Sequence, residues 1–235
     1  MALQIENFIK GRMGNIVFYK RAGKWIARLA ADDVKQSTAT KSWSNIFGKA
    51  STAGKSLRVL LRAILPDNQD KEMQNDFSGA IARCMKLLKA NGMQPLWPIP
   101  ELGEHDFNKK TGVRERFRVA IKVSKLSDNL LQIYIPSFTP SRSIAAPAHT
   151  KRVDIHICSA SCKLPGGQGQ GSAGYSLSVP YDDQPIGEQF IQLAVDCTTG
   201  SLLLTGIRIR YILPGEQQVL KDTFTPSSIV DAAFY

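Results

Sequence analysis

Asp154, His156 and Cys158 alternate along one β-rich run, so a strand would place all three on one face, and each residue type can ligate zinc. Cys162 follows at a Cys-x3-Cys spacing with no second pair to match it, and the fourth ligand would have to come from a distance. The plainer reading is a polar strand face with a small thiol tucked inward. Two glycine patterns also invite attention. Gly48-Lys49-Ala50-Ser51-Thr52-Ala53-Gly54-Lys55-Ser56 resembles a phosphate loop, but five residues separate its glycines where that loop needs four. It also lies inside a helical pattern, whose backbone N–H groups are already bonded and cannot cradle a phosphate. Gly169-x-Gly171-x-x-Gly174 matches the dinucleotide fingerprint in letters, yet Tyr175–Pro180 after it reads as a strand, so no helix N-terminus is there to hold a pyrophosphate. Ser172 lacks a nucleophile elbow because Gln170 stands where a glycine is needed. The histidines are His105, His149 and His156. The acid pairs Asp32-Asp33 and Asp182-Asp183 sit before a helix and in a turn, where adjacent carboxylates cap or face water. No nucleophile–base pair emerges. The expectation is a protein that is not an enzyme and uses no metal or cofactor.

The remaining chemistry is charge. The chain of 235 residues carries a formal net charge of +10, and residues 1–65 hold 12 Lys and Arg against 3 Asp and Glu. Lys10, Arg12, Lys20, Arg21, Lys24, Arg28, Lys55, Arg58 and Arg62 are interleaved with Phe18, Tyr19 and Trp25. Cations that neutralise phosphate beside rings that can stack suit nucleic acid. Lys20, Arg21, Lys24, Arg28, Lys55, Arg58 and Arg62 are therefore the candidate contacts to a polyanion or a protein partner. The competing reading, and the favoured one, is that the aromatics pack a hairpin onto helices, with Trp25, Phe47 and Phe77 sharing a core.

These side chains need elements to hold them. Asn15–Lys20 and Lys24–Ala30 are β-rich runs around Arg21-Ala22-Gly23, which predicts a hairpin. Ser37-Thr38-Ala39-Thr40 offers helix caps, and Trp43, Ile46, Phe47, Ala50, Ala53, Leu57, Leu60, Leu61 and Ile64 fall on one helical arc with Lys55, Arg58 and Arg62 along its flank. Pro66 ends this helix, a second runs to about Asn91, and Gly92 suits the left-handed position after it. Prolines in 93–116 favour extended chain, read as a linker between domains. From Phe117 apolar residues alternate through six or more strands, and Pro165–Gly174 is a loop that its composition makes flexible. The organisation expected is a basic hairpin and two-helix module over 1–92, a Pro-rich linker over 93–116, an antiparallel β-sandwich over 117–214 and a tail over 215–235. The terminal Phe-Tyr would cover a core edge or a neighbouring subunit.

Gly11-x-x-Gly14-Asn-Ile-Val-Phe-Tyr-Lys-Arg-x-Gly23-Lys-x-x-x-Arg28, followed by Lys35-Gln-Ser-Thr-Ala-Thr-Lys41 and Phe47-Gly48, resembles the opening of uncharacterised proteins common in Bacteroidetes. That resemblance covers about the first 90 residues by motif. It implies an immunoglobulin-like C-terminal β-domain and brings no catalytic residues.

The fold class expected is thus α+β, a hairpin and two helices before an immunoglobulin-like sandwich. Four cysteines are too few for a disulfide scaffold in a chain of this length. MALQIENFIKGR has neither the basic start nor the apolar core of a secretory leader, and no apolar run reaches membrane-spanning length. The chain is expected to be cytoplasmic. The function expected is a structural protein that assembles with itself, with nucleic-acid binding through the basic module as the alternative.

Overall fold

The computed structural model describes residues 2–5, 8–21, 23–30, 37–67, 69, 71–215, 218–219 and 224–235. The chain divides into two compact units, Met1–Ser42 and Trp43–Tyr235. The first is a four-stranded antiparallel meander, β1 (Ala2–Ile5), β2 (Phe8–Met13), β3 (Ile16–Arg21) and β4 (Lys24–Leu29), in that order across the sheet. Gly14 and Gly23 stand in its two described turns with φ of 57° and 78°, a left-handed backbone that a Cβ disfavours.

Helix α1 (Thr38–Leu60) starts where the Ser37 hydroxyl accepts a hydrogen bond from the Thr40 amide at 3.1 Å. Its buried residues are Ala50, Ala53, Gly54 and Leu57, and the first three are small enough to let the helix lie close against its neighbours. The α-helix stops at Leu60, but Leu61 and Ile64 stay buried in the turns before Pro66. Helix α2 (Lys71–Ala90) buries Met73, Phe77, Ile81, Cys84 and Leu88 at helical spacing. It ends as expected, with Gly92 at φ 64° and the Met93 amide donating back to the Leu88 carbonyl at 2.8 Å.

The rest of the second unit is antiparallel sheet. β7 (Arg152–Lys163), β8 (Gly169–Pro180), β10 (Ser201–Ile212) and β11 (Ser227–Phe234) form one sheet in the order β11-β10-β7-β8. β5 (Lys122–Ser127), β6 (Leu130–Ile135) and β9 (Gln189–Ala194) form another in the order β5-β6-β9. Two four-residue helices, α3 (Val113–Arg116) and α4 (Pro140–Ser143), lie in the connections.

The four-stranded sheet is the middle layer. Cys158, Ala160, Cys162, Leu202, Leu204, Ile229, Ala232 and Phe234 share a core with α1 and α2. Val153, Ile155, Ile157, Leu203, Ile207, Ile209 and Tyr211 share the other with Leu131, Ile133, Ile135, Ile191 and Leu193 of the three-stranded sheet. Strands buried on both faces read as continuous apolar runs, and Leu202-Leu203-Leu204 is such a run.

The mixed α+β architecture therefore holds, but its organisation differs from the expectation. The helices and the C-terminal sheets share one core, and the division falls after Ser42 instead of within 93–116. The Pro-rich stretch is packed chain: Leu96 and Phe234 exchange amide–carbonyl bonds at 2.9 Å, the Phe107 amide donates to the Ser227 carbonyl, and Ile99 and Leu102 are fully buried. It covers the outer edge of β11, which would otherwise offer unpaired backbone groups. Within the expected tail of 215–235, Ser227–Phe234 is β11, with Phe234 in the core, so the terminal Phe-Tyr covers a core edge. β5 starts at Lys122, five residues after the expected Phe117, because Phe117 closes the α3 turn by donating to the Val113 carbonyl. The glycine-rich stretch is no loose loop beyond Gln168, since β8 begins at Gly169 and pairs with β7.

Candidate interaction surface

The register of the first unit sorts its side chains. Arg12 pairs with Val17, Gly11 with Phe18 and Met13 with Ile16 across β2 and β3. Tyr19 pairs with Ile26, Arg21 with Lys24, Val17 with Arg28 and Lys20 with Trp25 across β3 and β4. Side chains alternate along a strand and paired residues share a face. One face therefore carries Lys10, Arg12, Arg21, Lys24 and Arg28 around Val17, Tyr19 and Ile26. The other carries Ile9, Met13, Ile16, Phe18, Trp25, Ala27 and Leu29, with Lys20 as its one cation.

Two cation–ring contacts obey this division. The Arg28 guanidinium lies 5.8 Å from the Tyr19 ring centre on the basic face, and the Lys20 ammonium 5.7 Å from the Trp25 ring on the apolar one. Each is worth about 0.5–1 kcal/mol at an exposed site. Arg12 is further fixed by donating through Nε to the Gly14 carbonyl at 3.0 Å. Between Phe8 and Ala30 there is no Asp or Glu, so no carboxylate within these strands offsets the cations. Cations in neighbouring strands stand about 5 Å apart and those two residues apart about 7 Å. Both spacings are inside the ~8 Å screening length of physiological salt, so the face acts as one field.

On the apolar face, Leu29 is 75% exposed and Met13 54%. Among the described residues of these strands none is fully buried. Within the second unit, Phe77 is buried against His105 and Phe107, while Phe47 is 47% exposed on the first half of α1, so these two rings share no core.

The other three candidate cations are in the second unit. Lys55 is exposed on α1, and Arg62 is exposed in the turns after it. Arg58 is half-buried, its Nη1 has no hydrogen-bond partner among the described residues, and burial holds its guanidinium below the usual arginine range.

The remaining motifs fall into place. Gly48–Ser56 is inside α1, with Gly54 buried against Ser78 and Ile81. Gly169–Gly174 is inside β8. Asp182 caps the turn by accepting from the Gln184 amide at 2.9 Å, and Asp183 accepts from the Ser141 hydroxyl at 2.5 Å. Asp32, Asp33, Lys35 and Ala22 lie outside the described residues. Asp154, His156 and Cys158 do share a strand face, but Cys158 packs into the helix-side core, and no cluster of three metal-ligating side chains occurs among the described residues. All four cysteines are free and buried, and burial pushes the Cys158 thiol up to about 11 and the Cys84 thiol up to about 12. A thiol so protonated is a poor nucleophile. No described helix is long and apolar enough to cross a membrane.

In the sequence the basic and apolar residues of the hairpin are one interleaved set. The signal that separates them was the two-residue alternation through Tyr19, Arg21, Lys24, Ile26 and Arg28, which becomes decisive once the turn fixes the register. Comparison with known proteins leaves this geometry to speak alone: no model of a known protein family matches the chain, and no curated protein matches it.

Proposed function

We propose that the chain is a non-enzymatic structural protein that assembles with itself, the apolar face of one N-terminal sheet packing on that of a second copy. The observation that carries this reading is the apolar face of Met13, Ile16, Phe18, Trp25 and Leu29 on a single layer of four strands. One layer cannot bury its own apolar face. Exposed apolar patches of this kind mark interaction sites, and a two-fold axis makes such a patch its own complement. Light scattering on the full chain tests it. The expected result is a mass of at least twice 25.9 kDa that persists in high salt and falls to the monomer when Trp25→Gln and Leu29→Gln are combined. A monomer at every concentration overturns the reading, as does assembly that the double variant leaves intact.

A second reading is favoured by the opposite face, where five cations surround Tyr19 with no carboxylate among them. A polynucleotide lying across it would release counterions, so its affinity would fall with salt by a log–log slope of about −0.9 per duplex phosphate contacted. Replacing Arg21, Lys24 and Arg28 by Glu should abolish binding without changing the assembled mass. Binding that survives this change excludes the face as the site. Loss of assembly instead makes the basic face the assembly surface.

The resemblance to the Bacteroidetes proteins and the immunoglobulin-like character of the C-terminal sheets belong to the same proposal. Gly11, Gly14 and Gly23 of the shared opening all have positive φ, which supplies a backbone reason for that pattern. Two antiparallel sheets sharing a core support the sandwich reading.

A further inference from the structure

The two-residue alternation that begins at Phe117 outruns the strand it leads into. Phe117, Val119, Ile121 and Val123 pack against the core between the sheets, while Arg118, Ala120 and Lys122 are exposed. That is the burial pattern of a strand. Yet β5 starts at Lys122, opposite Tyr134 of β6, and two residues further back the same register sets Ala120 opposite Pro136. Proline has no amide to donate, so the ladder stops short of it. The amides of Val119, Ala120 and Ile121 donate no hydrogen bond among the described residues. β5 is itself an edge strand, and among the described residues no strand or bridge pairs with its outer side. Residues 119–125 thus form one open edge.

A cavity of about 540 Å³ lies beside the start of this edge. Val119, Ala120 and Ile121 line it together with Ser228, Ile229 and Val230 of β11, and the buried Val113 and Phe117 add apolar surface. Its volume is within the range of about 300–1,000 Å³ usual for binding clefts. Two of its acids are engaged: Asp106 accepts from the Ser228 hydroxyl, and Glu104 pairs with Arg114 at 2.6 Å. Glu115 of α3 lines it without an ion pair among the described residues, and so does Arg118; Lys122, next along the exposed face of the edge, has none either.

These cations select the occupant. A second copy of the chain is disfavoured, because antiparallel pairing centred on Ala120 sets Arg118 opposite Lys122, and like charges directly opposite repel. Acidic residues at the same positions are attracted. We propose that the edge and the cavity bind an extended peptide segment of another protein. Its backbone adds a strand beside residues 119–125. Its apolar side chains at alternate positions enter the cavity and cover Val119 and Ile121. Acidic residues at the intervening positions meet Arg118 and Lys122. Main-chain hydrogen bonds then give affinity, and the alternating side chains give specificity.

The test titrates the full chain, labelled with ¹⁵N, with the capped peptide Glu-Val-Ala-Phe-Glu, and separately with Lys-Val-Ala-Phe-Lys. The expected result is a saturable shift of amide signals confined to residues 117–127 and 228–230, with the acidic peptide binding more tightly. Arg118→Glu combined with Lys122→Glu should weaken the acidic peptide at least about tenfold and make the lysine peptide the better ligand. Both residues are exposed, so the amide spectrum elsewhere should stay native. Strand addition has its own signature, because only alternate amides of an added strand face the edge. Of two acidic peptides N-methylated at alternate sets of backbone nitrogens, one should lose binding and the other keep it. Shifts that do not saturate or that lie elsewhere, a charge preference unmoved in the double variant, or equal binding of the two methylated peptides would each overturn the proposal.

Discussion

Arg208 shows how one side chain ties the helical layer to the sheet. It is almost fully buried, and its guanidinium holds both Asp67 and the Leu65 carbonyl in the connection between α1 and α2. Removing the carboxylate while keeping its shape leaves a buried cation half-compensated. Asp67→Asn should cost about 2–3 kcal/mol by urea unfolding, less than a fully buried pair because Asp67 is 63% exposed. The hydrogen bond from Arg208 holds the Asp67 carboxyl below its ordinary range, with burial opposing. A carboxyl depressed in the folded state contributes stability above its unfolded pKa and loses it as pH falls through the folded value. The wild-type protein should therefore lose stability below about pH 4 by an increment that Asp67→Asn lacks. Gly167 makes a second case. Its φ is 73°, and a Cβ there would lie 2.8 Å from the Ala53 backbone nitrogen of α1. Gly167→Ala should destabilise by about 2–3 kcal/mol. Gly171→Ala, with open space around it, should change stability by less than about 0.5 kcal/mol in the same denaturation assay.

At the scale of elements, that glycine contrast explains what the sequence hid. PGGQGQGSAG reads as a flexible loop by composition, but glycine density serves close approach as well as freedom. Gly167 faces the Ala53 backbone, a Cβ on Gly169 would meet Leu60 at 3.0 Å, and one on Gly174 would meet the Ile157 carbonyl at 3.1 Å. The stretch is flattened so that α1 can lie on the β7–β8 turn. The hairpin and α2 were legible because local rules fix them: a Gly turn between alternating runs, and an apolar stripe ending at Gly92. The role of 93–116 was not legible, because proline reports only that the chain is extended, and the strand it lies against is more than a hundred residues away. The same non-local pairing hid β11, whose Phe234 closes the core between α2 and Leu96. Phe234→Ala should cost about 3–5 kcal/mol. It should also speed hydrogen exchange at the Leu96 amide, which donates to the Phe234 carbonyl.

At the scale of the molecule, the N-terminal sheet turns a sequence-level mixture of cations and apolar residues into two separate surfaces. The separation has a consequence if both proposed readings hold. Joining two sheets through their apolar faces leaves a basic face on each outer side, so one assembly carries two polyanion sites. A long polynucleotide can engage both, and the second contact is then intramolecular. Avidity of this kind raises apparent affinity by about 10²–10⁴ without a new contact. Trp25→Gln with Leu29→Gln removes no cation, so each basic face keeps its own affinity. That variant should bind a short oligonucleotide, sized to one face, as well as the wild type does. It should bind a polymer long enough to span two faces at least about 100-fold more weakly. Fluorescence anisotropy with the two lengths at fixed salt decides it. Equal losses for both lengths would mean that the apolar substitutions disturb the basic face through the strands they share. No loss for either would mean that the two faces are not brought together by assembly.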